Sequence, residues 1–538
     1  MNIEQSCISS DGCDVLLIGY EEWENLGLRS IAAFLAERGV KVTIESCDRA
    51  SREDILTAIR RQDPRIIGFS LIFQRMLYEF AELVAYLREN GITAHFTMGG
   101  HFPSIEYRKT LESTPGLDSV VRGEGEETMA ELCQQIALRG SLQQIKGLAY
   151  RKDGEIMTTL PRPLIRKLDD LPFPLRSDKA VNHRGLGLRS ILASRGCYYD
   201  CSFCSIHQFY SESPGPRRRS RSPLNVVSEM EQLFHEQNAR IFIFEDDDFA
   251  MKAPRQKQWV EDFARELKKK KIADKILWRI SCRVDEIDAE LLKRMMETGL
   301  MSVYIGIESG NDQGLMTYNK RYSVEDIHRM LDILHEVKIP FEFGFMILNP
   351  DSTFATIRAD VDFLKKIGRT GHAVVHFTKM LPYAGTPIAH ELEKEDRLKG
   401  TIAAPDYDYR DPRLNLLQLF FTQAFHYRNF ENNGLVERLR HAKFDGIVLN
   451  KFFGHEFDTG SYIQAIQGLT RASNETCLEN MSMAIRFMEQ RKESEILDDW
   501  QFLDRLVSEE NELDARVTSA LDYLMLHPPC RTTRQGPR

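Results

Sequence analysis

The stretch SRGCYYDCSFCSIH, residues 194–207, contains three closely spaced cysteines and follows the apolar run ILA. The cysteines are Cys197, Cys201 and Cys204. Spacers of three and two residues let one short loop present three thiolates to three irons of a [4Fe-4S] cluster, which leaves the fourth iron without a protein ligand. Parallel α/β folds build their sites at the carboxyl ends of strands. The stretch therefore predicts an iron–sulfur site after a strand of an α/β domain.

A zinc site is the alternative for the same loop. His207 follows Cys204 by three residues and would complete a Cys3His set. Structural zinc sites usually pair two ligand couples from separate segments, whereas this set would place four ligands within eleven residues. The spacing favours a cluster and leaves zinc open. We expect packing roles for the remaining cysteines, Cys7, Cys13, Cys47, Cys133, Cys282, Cys477 and Cys530.

Composition restricts the partners of the chain. The net charge of −9 argues against a general attraction to nucleic acid. No apolar run approaches the ~20 residues that cross a bilayer, and the start has no basic stretch before an apolar segment. We therefore expect a cytoplasmic protein without membrane insertion. The basic run RRRSR, 217–221, lies beside two prolines and is expected to be a solvated loop, with a phosphate-binding strip as the alternative.

Hydrophobic patterning divides the chain into four segments. Short β-type runs alternate with helical stretches in residues 1–150, which predicts a flavodoxin-like, Rossmann-type α/β domain. Prolines and scattered charges predict a linker over 151–186. The alternation resumes in 187–395 with six strand–helix units, which predicts a partial (βα)6 barrel. Apolar residues at helical spacing predict a helical domain over 396–538.

Three later motifs give the cysteine loop a family context. FEDDDF (244–249), YIGIESG (304–310) and LPYAGTP (381–387) follow the loop in order, and Phe203 places an aromatic before the last cysteine. With these motifs the chain resembles the radical S-adenosylmethionine (radical SAM) superfamily. The resemblance implies that the three cysteines hold the cluster and that its open iron chelates S-adenosylmethionine. It further implies S-adenosylmethionine contacts from Phe203, Asp246, Asp247, Ser281, Arg283 and Glu308.

The first domain resembles the cobalamin-binding domain that precedes the radical domain in one large subgroup. The resemblance rests on NLGLRSIAAFLAERG, on MGGH (98–101) and on VVRGEGEET (120–128). Glycines at strand ends let a bulky cofactor approach the backbone. The stretch GYEEWENLGL after the first strand offers no axial histidine, and His101 is not assigned as a ligand. The expected cobalamin contacts are Ser70, Gly99, Gly100, Gly123, Glu124 and Gly125.

The resemblance implies a cobalamin-dependent radical methyltransferase. Such an enzyme transfers a methyl group to an unactivated carbon, or to phosphorus, of a small-molecule substrate, and it receives electrons from a donor such as flavodoxin or ferredoxin. Its cofactors perform the chemistry, and no side chain is assigned to substrate activation. One alternative is a radical cyclase, oxidase or ring-contracting enzyme that transfers no methyl group. Another is a zinc-stabilised binding protein without catalytic activity.

Overall fold

Short buried apolar runs and capped helices alternate through much of the chain. A computed structural model describes residues 13–22, 24–177 and 181–530. Contacts divide the chain into two units. Unit 1 contains Met1–Phe249, Gln258–Ile276 and Leu381–Asp406, and unit 2 contains Ala250–Lys257, Leu277–Met380 and Tyr407–Arg538.

A seven-stranded sheet in the order β2-β1-β3-β4-β5-β6-β7 forms the N-terminal part of unit 1. Its first five strands are parallel, and β6 and β7 are antiparallel additions. The order 2-1-3-4-5 is that of flavodoxin-like sheets, so the predicted fold is confirmed. The strands are β1 (Val15–Gly19), β2 (Val42–Ser46), β3 (Ile66–Ser70), β4 (His95–Gly99), β5 (Ser119–Val121), β6 (Leu148–Lys152) and β7 (Glu155–Thr158).

Helices cover both faces of this sheet, and capping side chains mark where two of them begin. Asn25 caps the first helix by accepting a hydrogen bond from the Leu28 N–H, and Ser51 with Asp54 forms a capping box at the second. The helices are α1 (Leu26–Glu37), α2 (Arg52–Gln62), α3 (Leu77–Glu89), α4 (His101–Ile105), α5 (Tyr107–Ser113) and α6 (Glu126–Leu138). Strand β7 lies inside the segment predicted as a linker.

The next part of unit 1 surrounds the cysteine loop. Strand β12 pairs with β9 in parallel, and β8 pairs with β9 antiparallel. A short antiparallel pair, β10 with β11, brackets the cysteines. The elements are β8 (Val181–His183), β9 (Leu186–Ile191), β10 (Ser194–Arg195), α7 (Ser205–Ser211), β11 (Arg219–Ser220), α8 (Pro223–Glu236), β12 (Ala239–Phe244) and α9 (Pro254–Lys269).

Unit 2 begins with four parallel strands in sequential order. Counted with β9 and β12, they supply the six parallel strands expected of the partial barrel, and this prediction is confirmed. The capping box of Ser323 and Asp326 is also present. The elements are β13 (Leu277–Arg283), α10 (Ala289–Met296), β14 (Leu300–Glu308), α11 (Asp312–Thr317), α12 (Val324–Val337), β15 (Phe341–Leu348), α13 (Phe354–Gly368) and β16 (Thr378–Lys379).

The turn after β16 returns the chain to unit 1. Here lie α14 (Pro387–Lys394), β17 (Leu398–Gly400) and β18 (Pro405–Tyr407), whose last residue opens the final part of unit 2. The Ile388 N–H donates a 3.1 Å hydrogen bond to the Ser202 carbonyl oxygen in the cysteine loop. The predicted turn LPYAGTP therefore leads into a helix that supports the cluster loop.

The final part of unit 2 is helical, as predicted. Its helices are α15 (Arg413–Ala424), α16 (Leu435–Phe452), α17 (Thr459–Glu489), α18 (Glu493–Asp498) and α19 (Gln501–Leu526), with a π-helical turn at His426–Phe430. Buried leucines such as Leu435, Leu439 and Leu521 form one core with Tyr462. Within the described parts of the chain, no helix has the length and apolar character needed to span a membrane.

We predict that Gly100→Ala destabilises the protein more than Gly39→Ala. Both glycines have positive φ, +122° and +77°, so alanine is strained at both, at about 1–2 kcal/mol. At Gly100 the added Cβ would also lie 2.1 Å from the Leu71 carbonyl oxygen, whereas Gly39 has no atom within 4 Å. Urea unfolding should therefore give Gly100→Ala an additional loss of about 1–3 kcal/mol. Equal losses would contradict the predicted clash.

Candidate functional site

The cysteine loop begins at a position that requires glycine. Gly196 has φ +82°, and a Cβ there would lie 1.9 Å from the Arg217 carbonyl oxygen. The loop closes on itself where the Cys204 N–H donates a 3.1 Å hydrogen bond to the Cys201 carbonyl oxygen, and α7 begins directly after Cys204. The tight turn and the helix start thus bring the three cysteines onto one short loop.

The three thiols are partly buried and close together. Burial raises the pKa of Cys197 to about 12, with Asp248 and the other two cysteines adding to the shift, and raises the pKa of Cys204 to about 11. Adjacent thiolates in such a place need a bound cation to offset their mutual repulsion. A cluster that takes each thiolate on a different iron fits this arrangement.

A single zinc ion fits the loop less well. Zinc requires four ligands around one point. The described residues contain no group of three His, Cys, Asp or Glu side chains that is able to hold one metal ion. Burial lowers the pKa of His207, and its nearest charged influences are Arg217 and Asp200 rather than the thiols. The predicted zinc alternative therefore gains no support from the geometry.

The consecutive aspartates after β12 have different environments. Asp246 is buried and accepts hydrogen bonds from the Ala193 N–H, at 3.0 Å, and from the Ser194 hydroxyl. Burial raises its pKa to about 6. Asp247 has an exposed side chain, although protein packed around it reduces its hydration, and one of its oxygens accepts a 2.8 Å hydrogen bond from the Gly196 N–H. Asp246 thus positions the strand before the cysteines, whereas Asp247 presents a carboxylate beside them.

Arg195 connects the cysteine loop to the N-terminal sheet inside unit 1. Its guanidinium donates hydrogen bonds to Glu124 at 2.9 Å, to Glu126 at 2.6 Å and to the Ser30 hydroxyl at 3.1 Å. The two carboxylates raise the pKa of Arg195 against the opposing effect of burial. Ion pairs this well buried stabilise only when hydrogen bonding is nearly complete, as it is here.

Glu124 is occupied by this network. Besides Arg195, its carboxylate accepts hydrogen bonds from Arg219 and from the Ile165 N–H, both at 2.7 Å. Its assignment as a cobalamin contact stays a prediction, and its oxygens already have three protein donors.

The prediction of a solvated loop for RRRSR is wrong. Arg218, Arg219 and Arg221 are buried, with 9%, 6% and 8% of their surfaces exposed. Arg221 pairs with Glu229 at 2.6 Å and donates to the Leu192 carbonyl oxygen at 2.8 Å. Arg219 and Arg221 find acceptors in other elements of unit 1, such as Glu124 and the Leu192 carbonyl oxygen, which the local charge run does not reveal.

The predicted cobalamin residues lie at and just beyond the carboxyl ends of β3, β4 and β5. Ser70 accepts a 3.2 Å hydrogen bond from the Asn25 side chain, and a Cβ on Gly99 would meet its nearest atom at 3.5 Å, so there is room at this end of β4. Gly123 has φ +76°. A Cβ on Gly125 would lie 2.6 Å from Ile31 in α1, which indicates a packing role. Carboxyl ends of parallel strands share one edge of a sheet, so these positions are gathered there.

His101 is a site residue that the sequence did not identify. It follows Gly100 at the start of α4, and its ring lies edge-on to Phe209 with centroids 4.6 Å apart. Loss of hydration lowers its pKa, opposed by the charge of Asp247, while loss of hydration raises the pKa of Asp247, opposed by His101. Within unit 1, the glycine edge of the sheet therefore lies next to the carboxylate beside the cysteines.

Glu308 ends β14 in a strained conformation. Its φ is +68°, a region that residues other than glycine seldom adopt, and such strain often accompanies function. Lys320 donates to its carboxylate at 3.2 Å. A Cβ on Gly306 would lie 2.7 Å from one carboxylate oxygen, and a Cβ on Gly344 would lie 3.3 Å from the other. Two glycines thus leave room for this carboxylate inside unit 2.

Ser281 and Arg283 lie on β13, two residues apart. Ser281 is partly exposed and is in register with Tyr304 of β14. Arg283 is buried and donates to Asp285 at 2.9 Å and to the Lys320 carbonyl oxygen at 2.6 Å. Ser281 is accessible to a ligand in unit 2, whereas Arg283 supports the segment that carries Lys320.

Asp360 of α13 holds the turn that follows Glu308. Its carboxylate accepts hydrogen bonds from the Gly310 N–H at 2.6 Å and from the Ser309 hydroxyl at 3.0 Å. Burial raises its pKa to about 7.

Comparison with known proteins identifies both domains. Residues 14–133 match the B12 binding domain, and residues 191–364 match the radical SAM superfamily. An uncharacterized methyltransferase of Pyrococcus horikoshii is 30% identical over 376 residues, which cover 68% of this chain and 77% of the relative. The chain belongs to the cobalamin-binding radical SAM enzymes. Membership implies a [4Fe-4S] cluster, S-adenosylmethionine and cobalamin as its cofactors, as predicted.

Two further relatives show the range of the family. The anaerobic magnesium-protoporphyrin IX monomethyl ester cyclase of Cereibacter sphaeroides is 28% identical over 357 residues, covering 65% of this chain and 56% of the cyclase. The cobalamin-dependent S-adenosylmethionine radical enzyme OxsB, solved with aqua-cobalamin and S-adenosylmethionine bound, superposes with a TM-score of 0.68 at 16% identity. That match covers 97% of this chain and 82% of OxsB, and it shows that this chain has the same fold as OxsB.

We predict that Arg195→Met strongly destabilises this radical SAM enzyme. The substitution leaves the buried carboxylate of Glu126 without its ion-pair partner, which should cost about 3–5 kcal/mol. Arg358→Met is the control, because it removes an ion pair with Glu489 whose arginine side chain is 51% exposed, and it should cost less than about 1 kcal/mol. Urea unfolding of both variants measures the difference. Similar losses would show that the Arg195 network contributes little.

We also predict that Asp360→Asn alters the pH dependence of stability. Between about pH 4 and pH 7 the folded enzyme keeps a proton on Asp360 that the unfolded chain releases, so this group's contribution to stability falls as the pH rises. The amide has no such dependence. The melting temperature of the variant relative to wild type should therefore rise through this window and level off above it. A difference in melting temperature that stays constant through this window would contradict the prediction.

Proposed function

We propose that this enzyme transfers a methyl group from S-adenosylmethionine, by way of cobalamin, to an unactivated carbon of a small-molecule substrate, or to phosphorus. The observation that carries the proposal is the position of His101 and Asp247 in unit 1. His101, next to Gly100, packs against Phe209 of the helix that follows the cysteine loop, and Asp247 accepts a hydrogen bond from Gly196 at the start of that loop. A cobalamin at the glycine edge and an S-adenosylmethionine at the cysteine loop would then be able to act on one substrate. The similarity to the uncharacterized methyltransferase of Pyrococcus horikoshii supports methyl transfer.

The cysteine loop supplies the residues of the first cofactor site. Cys197, Cys201 and Cys204 would hold the cluster, and Phe203 lies between the last two of them. The exposed carboxylate of Asp247 suits the ammonium group of S-adenosylmethionine, because charge-assisted hydrogen bonds to an ammonium are strong. Asp246 has both oxygens committed to the backbone and hydroxyl of Ala193 and Ser194, so it acts as a positioning residue for the loop.

Considered by itself, unit 2 contains residues with the chemistry of a ribose contact. Two oxygens of Glu308 accept hydrogen bonds from ribose hydroxyls readily, and Gly306 and Gly344 leave space beside them. Ser281 adds a hydroxyl on the neighbouring strand. Arg283 supports Lys320, which in turn holds Glu308.

The bound cofactors supply the one-electron cleavage of S-adenosylmethionine and the methyl group, and the chain supplies binding and orientation. We propose that a flavodoxin or a ferredoxin delivers the electron.

A second candidate function is radical ring formation without methyl transfer. It is favoured by the 28% identity to the magnesium-protoporphyrin ester cyclase. The same cluster, aspartate and glycine positions would serve that reaction, because both reactions begin with the same cleavage of S-adenosylmethionine.

Turnover with S-adenosylmethionine that is isotopically labelled on its methyl group tests the proposal. The enzyme is first reconstituted anaerobically with iron, sulfide and cobalamin. It is then incubated with a chemical reductant and with fractions of a small-molecule extract from the organism to which the protein belongs. We expect 5′-deoxyadenosine together with a product that carries the label, and neither from Cys204→Ala. A converted but unlabelled product would establish the cyclase-type alternative. An absence of 5′-deoxyadenosine from wild type would reject radical chemistry altogether.

A further inference from the structure

The strands of unit 2 present one row of polar side chains on their less buried face. Ser281 of β13 is in register with Tyr304 of β14, and Tyr304 is in register with Glu342 of β15. All three are partly exposed, whereas their immediate neighbours along the strands are buried apolar residues. Since side chains alternate between the faces of a strand, this row lies on the face opposite the apolar core.

Two arginines meet the carboxylate of this row. Arg279, two residues before Ser281, approaches Glu342 at 3.6 Å, and Arg440 of α16 approaches the same oxygen at 3.6 Å. Lys443, one turn after Arg440 on α16, also responds to the charge of Glu342. We name Arg279, Arg440 and Lys443 the inner basic cluster. It brings three cationic side chains to a single carboxylate.

The arginines of this cluster retain donors without acceptors. The Nε of Arg279 and both Nε and Nη2 of Arg440 are shielded from water and donate no hydrogen bond. A buried donor left unsatisfied costs about 1–3 kcal/mol, and more for a charged group. The side chains nevertheless keep 31% and 22% of their surfaces exposed. The two guanidinium groups are thus partly accessible, and each keeps at least one N–H that no acceptor among the described residues uses.

The pKa shifts of two neighbouring groups are consistent with an excess of positive charge. Burial, together with the charges of Arg440 and Arg428, lowers the pKa of His376 to about 3. Burial lowers the pKa of Lys443 to about 8, although Glu342 opposes the shift, and its ammonium donates to the Gly371 carbonyl oxygen at 2.6 Å. Among the described residues, Glu342 is the carboxylate that pairs with both arginines, so one negative charge faces more than one positive charge.

Tyr304 relates the cluster to Glu308, since it borders the same glycine as Glu308 and senses the charges of the cluster. A Cβ on Gly344 would lie 2.8 Å from the Tyr304 hydroxyl and 3.3 Å from a Glu308 oxygen, so both groups border the gap that this glycine leaves. Tyr304 also senses the charges of Glu308, Arg440, Glu342 and Arg279. Along the strands, Glu308 lies at a carboxyl end and Arg279 lies nearer the amino end of β13. The cluster therefore lies deeper in unit 2 than the proposed nucleoside contact.

We propose that the inner basic cluster binds an oxyanion of the substrate, a phosphate or a carboxylate, through Arg279 and Arg440. Planar guanidinium groups match such oxygens with paired hydrogen bonds. The anion anchors one end of the substrate deep in unit 2 and leaves the other end toward Glu308. This inference rests on the proposed function, because it assigns the substrate class of that same site.

Anion binding to the reconstituted enzyme tests the inference. Equilibrium dialysis measures the binding of labelled inorganic phosphate and of labelled acetate in two separate experiments. The ionic strength is fixed by chloride in both. We expect wild type to bind at least one of them in preference to chloride. Arg279→Gln and Arg440→Gln should weaken that binding about tenfold or more, since hydrogen bonds to charged groups contribute about 1.5–3 kcal/mol. Arg358→Gln, an exposed arginine of the same unit, should bind as wild type does.

Glu342→Gln provides a test of opposite sign. Removal of the competing carboxylate should tighten binding of the same anion, which a generally disturbed fold would not do. Wild type that binds neither phosphate nor acetate in preference to chloride would overturn the inference, as would unchanged binding in both arginine variants. Formation of 5′-deoxyadenosine by wild type is measured separately, so that failure of the radical chemistry and failure of the anion site are distinguishable.

Discussion

The ion pairs of Arg195 with Glu124 and Glu126 are the contact on which the arrangement of unit 1 depends. Arg195 directly precedes the glycine that opens the cysteine loop, and Glu126 begins the helix that follows the fifth strand of the flavodoxin-like sheet. Apolar surfaces tolerate small sliding movements, but a buried guanidinium with three acceptors has one satisfactory position. The network therefore sets how far the cysteine loop lies from the glycine edge, and with it the spacing that a methyl-transferring enzyme would need between its cofactors.

Local features of the sequence predicted most of the fold and the cluster loop. Strands such as β1 and β3 are short apolar runs, and the cysteines lie within eight residues, so these patterns depend on no distant contact. Roles set by distant partners were not predictable. The basic run 217–221 is buried because acceptors such as Glu124 and Glu229 come from other elements. The division of labour between Asp246 and Asp247 depends on which of two adjacent side chains faces Ser194, and residue type alone does not record this.

The same reasoning explains why the polar interior of unit 2 was only partly anticipated. Glu308 was predicted from its motif, but its left-handed backbone and the two glycines that leave room for it appear only in three dimensions. Arg440 approaches the row of Tyr304 and Glu342 from a helix about a hundred residues later in the chain. A lone arginine on a C-terminal helix looks like an ordinary solvated residue. Arg440 gains its proposed role from the neighbouring cations Arg279 and Lys443. All three respond to the carboxylate of Glu342.

The discontinuity of unit 1 has a consequence for biosynthesis. Helix α14 supports the cysteine loop through Ile388 and Ser202, yet the whole run of strands β13 to β16 is translated between these two positions. Contacts of such long sequence separation form late, and chains emerge from the ribosome at about 5–20 residues per second. The cysteine loop therefore stays incompletely supported for many seconds of synthesis. Insertion of an oxygen-sensitive cluster is therefore best timed after Ile388 has emerged from the ribosome, when helix α14 is able to support the loop.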